Sequence, residues 1–331
     1  MISKTPLRIL LVSLAVAPGA ILAGVHKCMD ENNNVVYQDK PCQELTSAGL
    51  SPALSRLNPE ENRPHLLWKL GAEKKTIYLM ASLGYGTADM YPLPEAVMDA
   101  FTGSNVLVVA NELDAGSEVA SQPTIIAKGG YSDGTVLRDH VKPATWQKVL
   151  NLAKTLEVGE ETLSAQRPWM AALTLKNAAL KQAGYDEKLS VGKNFIKAAD
   201  TLKPIVELDP LDDQVKRFEG MEDAEQEQFL LEALREADNK NEYFKSLAEA
   251  WKKGDADSVG LAVRRAVDTL PASQKLPEQW LTSRNEGIAN KIDEMAADGR
   301  TYFVVVDAKR LVGEKGIIAE LLAKGFKATQ L

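Results

Sequence analysis

Histidine and cysteine are scarce in this chain. Its 331 residues include three histidines, His26, His65 and His140, and two cysteines, Cys28 and Cys42. No histidine has a second one two to four positions on, and none falls at the end of an apolar run that reads as a strand. A transition-metal centre needs clustered His, Cys, Asp or Glu, so each histidine reads as a solitary surface residue. A serine nucleophile wants a histidine base, and no Gly-x-Ser-x-Gly elbow is present. The P-loop and the Gly-x-Gly-x-x-Gly turn are also missing, which leaves phosphate cradling unsupported. Basic side chains are fewer than acidic ones, 39 against 46, and no basic run exceeds two residues. Nucleic acid is therefore not an expected partner, since phosphate binding wants a basic face.

Long apolar runs are confined to the N-terminus. Lys4 and Arg8 precede the apolar stretch Ile9–Ala17, Pro18-Gly19 breaks it, and Ile21-Leu22-Ala23 offers a small-residue cleavage site. That is the pattern of an export signal. The run is short for a membrane span, so membrane contact is expected only if the segment stays uncleaved. The expected location is the periplasm. An exported chain with two nearby cysteines and no others suggests a Cys28–Cys42 disulfide. Two thiolates and His26 fall short of four metal ligands.

Val25–Cys42 reads as a miniature β-hairpin, with Asn32-Asn33-Asn34 as the turn and Val35-Val36-Tyr37 as the return strand. Its Cys28, Asp30, Val36-Tyr37, Asp39 and Pro41 resemble a short envelope module that follows signal peptides in many bacterial exported proteins, with Asn33 where glycine is usual. The chain then divides into a signal peptide (1–23), a hairpin module (24–45), a linker (46–63) and a large domain (64–331).

The large domain alternates short apolar strands with long amphipathic helices. His65–Leu83 reads as a hairpin around Gly71–Lys75; Val106–Val109, Pro204–Leu208 and Tyr302–Val306 read as strands. Helices are expected over Pro94–Phe101, Thr145–Leu156, Glu160–Ala183, Ala224–Lys253, Asp257–Leu270, Glu278–Ala297 and Gly316–Lys324, with Phe326–Leu331 as an edge strand. This predicts an α/β fold: a mixed or mostly parallel sheet flanked by helices, with a helical insertion, plus the small disulfide-linked N-terminal β-hairpin. The five tryptophans sit at apolar positions and read as core.

Two strands end in similar turns, Ala81-Ser82-Leu83-Gly84 and Asp307-Ala308-Lys309-Arg310. Ligands in open α/β sheets sit at such carboxyl ends. At these residues the sequence resembles the TraB/GumN family, which includes the Tiki metalloproteases. The segments "LLWKL…TIYLMASLGYGTADMYPLPEAV", "DGTVLRDHVKPATW", "KPIVELDPLDDQVKRFEGM", "LTSRNEGIANKI" and "TYFVVVDAKRLVGEKGIIAELLAKGF" match the family's motifs in order, from about Leu66 to the end.

The resemblance implies a divalent metal held by two G-x-x-H turns, but the ligands do not carry over. Gly84 and Arg310 stand where the two histidines belong, and Ala81 and Asp307 where the glycines belong. The family's strand-end Glu falls on Ala110, or on Glu112 with a two-residue shift; its other carboxylates fall on Asp209 and Ser283, while Arg284 and Asn285 are retained. The expectation is a non-catalytic pseudoenzyme that binds an unknown peptide or protein, with no catalytic residue, no metal and no cofactor. Its vestigial pocket would draw on Ser82, Gly84, Glu112, Asp209, Arg284, Asp307 and Arg310. Arg284 and Arg310 would offer an anion site, or equally form ion pairs with Asp209, Asp307 or Glu112. The alternative is a metal-dependent peptidase built on Glu112, Asp209, Asp307 and Asp89, whose oxygen donors would favour Mg or Mn. A third possibility makes the N-terminal module the interacting part and the large domain a spacer.

Overall fold

The structure, a computed structural model, describes residues 26–29, 35–38, 64–72, 75–110, 123–199, 202–238, 242–268 and 278–331. The strands are β1 (His26–Met29), β2 (Val35–Gln38), β3 (Leu67–Ala72), β4 (Lys75–Ser82), β5 (Val106–Ala110), β6 (Ile205–Glu207), β7 (Tyr302–Asp307) and β8 (Lys327–Gln330). β1 and β2 pair antiparallel as a separate two-stranded sheet. The turn expected between them, their side chains and Cys42 lie outside the described residues. No disulfide is present among the described residues, so the expected Cys28–Cys42 bond has no structural support.

The other six strands form one sheet in the order β6-β5-β7-β4-β3-β8. β4, β7, β5 and β6 run parallel, whereas β3 is antiparallel to both β4 and β8. The sheet is therefore mixed, as the alternation of elements predicts. β5 and β7 are buried at every position. Their apolar runs, VLVVA and the YFVVV that precedes Asp307, suit a central parallel strand covered on both faces. β8 takes the expected edge position, with alternating exposure along KATQ.

Two helical expectations need correction. The single helix expected over Glu160–Ala183 is two helices, Glu160–Ser164 and Pro168–Gln182. Pro168 is the reason: it lacks the amide hydrogen a continuing helix needs and sits at the first helical position, where none is required. The long polar helix expected over Ala224–Lys253 is likewise two, Asp223–Asp238 and Glu242–Lys252. The second is not simply polar. Tyr243, Phe244, Leu247, Ala248 and Trp251 are buried on one face, a spacing that follows the helical period. Helix Val191–Ala199 was not foreseen; it buries Phe195 against Phe101 and Phe303, with centroids 4.8 Å apart in both pairs.

Tryptophan placement agrees with a core role where it is described: Trp68, Trp169 and Trp251 are buried and Trp146 packs against the core. No helix among the described residues is long and apolar enough to cross a membrane.

Candidate functional site

β4 and β7 lie side by side in parallel, with Ser82 opposite Asp307 at their carboxyl ends. The chain leaves β4 through Leu83-Gly84-Tyr85, and leaves β7 directly into the short helix Ala308–Leu311. Asp307 is therefore a helix cap rather than the start of a loose turn: its Oδ1 accepts from the Lys309 amide at 2.8 Å. Gly84 and Arg310, the two positions singled out by their motifs, line one cavity of about 370 Å³ above these strand ends. That volume lies within the range usual for small-molecule sites, ~300–1,000 Å³.

The helical insertion between β6 and β7 supplies most of the cover. Phe229, Glu232 and Glu236 come from helix Asp223–Asp238, and Tyr243, Phe244 and Leu247 from helix Glu242–Lys252. Val263 and Arg264 come from helix Ala256–Asp268, and Arg284 and Asn285 from helix Glu278–Met295. Helix Pro168–Gln182 adds Leu173, Lys176 and Leu180. Trp251 ties this cover to the sheet, donating from Nε1 to the Ala81 carbonyl at 2.8 Å.

The loop after β4 is held on its other side. Gly86 and Asp186 exchange backbone hydrogen bonds of 2.9 and 3.0 Å, and the Ser190 hydroxyl donates to the Leu83 carbonyl. A Cβ on Gly86 would stand 2.2 Å from the Leu189 carbonyl oxygen, so the close approach requires glycine there.

The expected site residues separate into three groups. Gly84, Arg284, Asp307 and Arg310 line the cavity. Ser82 and Asp209 are buried beside it without lining it. Ser82 is structural: its hydroxyl accepts from the Gly192 amide at 3.0 Å and donates to the Leu83 carbonyl, fastening helix Val191–Ala199 to β4. Glu112 lies outside the described residues. Asp89 stands apart from the cavity lining, bonded to Thr87 and paired with Lys252 at 2.9 Å. Those bonds hold its carboxyl below the usual range, the Thr87 hydroxyl contributing most.

Arg284 takes the ion-pair option left open by the sequence: it contacts Asp209, whose two oxygens also receive Arg217 at 2.7 and 2.8 Å. Asp209 thus serves two guanidinium groups. Arg310 is 6% exposed and donates from Nη1 to the Asn285 Oδ1 at 3.3 Å; Asn285 in turn donates to the Lys315 carbonyl.

A divalent metal of the kind the resemblance implies does not fit these residues. Gly84 offers no donor atom, Arg310 is a permanent cation, Ala110 is a methyl group at the end of β5, and Asp209 is engaged by two arginines. Among the described residues no three His, Cys, Asp or Glu side chains are gathered as a ligand set.

Several lining residues escaped the sequence reading. Lys176, Glu236 and Tyr243 carry no motif and come from three separate helices, while Tyr85 lies within a motif segment but gave no sign of facing the cavity. Lys309 was passed over beside Arg310. His140 is not a solitary surface residue: its ring stacks on Tyr131 at 4.4 Å, and its Nε2 lies 2.8 Å from the Thr135 hydroxyl. The flanking DGT turn folds back to make this contact, a tertiary arrangement that spacing alone does not show.

These features define a mixed α/β protein with a roofed cavity at the carboxyl ends of its parallel strands. The chain belongs to the TraB/PrgY/gumN family, whose match covers residues 66–330. No curated protein and no solved structure matches it.

Proposed function

We propose that this protein is an exported, non-catalytic member of its family whose cavity binds a small anionic ligand, a peptide carboxylate first among the candidates. The observation that carries this reading is the charge of the cavity. Its lining holds six basic side chains (Lys176, Arg264, Arg284, Lys309, Arg310 and Lys315) and four acidic ones (Glu232, Glu236, Asp307 and Glu314), a balance of +2 in a chain of −7. An oxyanion in such a place gains charge-assisted hydrogen bonds that a neutral ligand does not. Export to the periplasm is supported by the N-terminal signal pattern, and the absence of a resident metal by the chemistry of Gly84, Arg310 and the twice-paired Asp209.

The carboxylate-based hydrolase is the weaker reading because three of its four proposed ligands are otherwise employed, the fourth, Glu112, lying outside the described residues. Asp209 binds two arginines, Asp307 caps a helix and Asp89 pairs with Lys252. Elemental analysis of natively purified protein, with and without chelator, should be run beside digestion of a broad peptide library. The expected result is no stoichiometric metal and no chelator-sensitive cleavage; a tightly held metal with chelator-sensitive cleavage would overturn the proposal. Calorimetric titration with acetylated peptides should show at least fivefold tighter binding of the free acid than of the C-terminal amide.

A further inference from the structure

The two edges of the main sheet are finished differently. β8 closes one side with the largely polar sequence KATQ, on which Lys327 is exposed. A charged or polar edge discourages pairing with a further strand. β6 closes the other side with Ile205-Val206-Glu207, exposed at every position, and β5 is its only strand partner among the described residues. Leu202, Ile205 and Val206 are 46%, 36% and 37% exposed; they are three of the six large apolar side chains exposed among the described residues. Such a concentration of apolar surface on one sheet edge marks an interaction site.

The ladder with β5 shows which backbone groups of β6 are left over. The Leu107 amide donates to the Pro204 carbonyl at 3.0 Å, and the Leu208 amide donates to the Val109 carbonyl at 2.8 Å. Backbone groups alternate in direction along a strand. Pro204, Val206 and Leu208 therefore face β5, and the N–H and C=O groups of Ile205 and Glu207 face outward. Outside the ladder, no described residue bonds to either of them.

These outward groups are complementary to themselves. When two copies of β6 run antiparallel with Val206 opposite Val206, Ile205 and the partner's Glu207 form a hydrogen-bonded pair, as do Glu207 and the partner's Ile205. Every outward donor then meets an outward acceptor. The two β-branched Val206 side chains pack together in the close pair between them. The charges favour the same direction. Lys203 donates to the Phe101 and Ser104 carbonyls, and neither it nor Glu207 has a partner of opposite charge among the described residues. Antiparallel pairing points each Glu207 toward the Lys203 end of the other strand, whereas parallel pairing in register would set two carboxylates side by side. We propose that β6 is a homodimer edge, through which two copies of this chain pair about a twofold axis at Val206 and join their sheets into one. A closed twofold contact consumes both β6 edges, and the polar β8 edges stop the assembly there.

Sedimentation velocity on the full chain tests this. A reversible monomer–dimer equilibrium is expected. Val206→Lys and Val206→Glu each bring like charges face to face at the axis and should weaken dimerisation by about tenfold. An equimolar mixture of the two variants should dimerise again, because a twofold axis at residue 206 then pairs lysine with glutamate. Leu322→Lys, which removes another exposed leucine on helix Ile317–Ala323, should leave the equilibrium unchanged. Should either charged variant fail to melt cooperatively, Val206→Cys takes its place: under mild oxidation it should yield a dimer crosslinked through residue 206, since close antiparallel pairs lie within disulfide reach. A parent chain that stays monomeric at every concentration would overturn the proposal and point to an extended peptide as the strand that covers β6. A dimer that survives Val206→Lys, charged variants that do not recombine, or Val206→Cys without the crosslink would each overturn the twofold contact at Val206.

Discussion

Ser82 of β4 and Asp307 of β7 are directly opposed in a parallel ladder, so the turns that follow them open on the same space. This single register relation brings Gly84 and Arg310, more than 200 residues apart in sequence, to one cavity. A buried arginine is tolerated in the short helix after β7 because it has a polar partner. Asn285 from the neighbouring helix accepts from Arg310, and the second cavity arginine is matched by Asp209.

Asp209 is expected to be the most costly carboxylate to remove around the site. Its side chain is 7% exposed and serves Arg217 and Arg284; the latter is 9% exposed. Asp209→Ala would take the carboxylate away from a buried guanidinium and should destabilise the fold by about 3 kcal/mol. Arg217 is 35% exposed, so Arg217→Ala should cost less, about 1 kcal/mol or below. Urea unfolding of the two variants compares them, and equal losses would contradict this account.

Restoring the histidines should not restore a metal enzyme. Gly84→His/Arg310→His supplies two imidazoles, but Ala110 and the exposed Ser283 still offer no carboxylate and Asp209 stays with its arginines. The double variant is expected to remain without chelator-sensitive peptidase activity. The same library digestion, run with added Zn, Mn or Mg, checks this, and metal-dependent cleavage would show that the retained scaffold needs only the two histidines.

Glu227 links the cavity helix Asp223–Asp238 to helix Pro143–Thr155. Its Oε1 accepts from the Lys142 amide at 2.9 Å and the Thr145 hydroxyl at 2.5 Å, with the Lys142 ammonium 3.4 Å from Oε2. Burial works to raise its pKa, but the bonds from Thr145 and Lys142 outweigh it and hold the carboxyl below its ordinary value. A depressed folded pKa means the stabilisation is fully present above the unfolded value, about 4.3, and is lost as pH falls through the folded one. Glu227→Gln should therefore cost about 1 kcal/mol at neutral pH, as for loss of a helix cap. The gap from the parent should close under acid, as thermal melts across pH would show.

Gly86→Ala should disturb the site loop specifically. The added methyl would meet the Leu189 carbonyl oxygen at 2.2 Å and must break the Gly86–Asp186 bridge or shift residues 186–190. Overpacking of this kind costs roughly 1–3 kcal/mol. Hydrogen exchange at the Gly86 and Asp186 amides should accelerate more than exchange within β5 and β7.

Most strands were legible before folding because each is an apolar run bounded by glycine, proline or polar residues. Tyr302–Asp307 and Val106–Ala110 read as buried strands and are buried at every position. The helix breaks were less legible: Pro168 was visible but was overridden by the continuing apolar period, and the apolar face of Glu242–Lys252 was masked by its charged residues. Motif comparison found Gly84, Arg284, Asp307 and Arg310, yet it also drew in Ser82, whose hydroxyl is spent on the backbone.

The sequence by itself determined the α/β class, the family resemblance and the loss of histidine at two turns, because periodicity and residue identity are local properties of the chain. Only the tertiary structure decided which side chains share the cavity, that Asp209 is consumed by Arg217 and Arg284, and that Tyr85 and Tyr243 meet around Phe244. Strand order and helix packing bring distant segments together, and no spacing within the chain encodes the distances at which they meet.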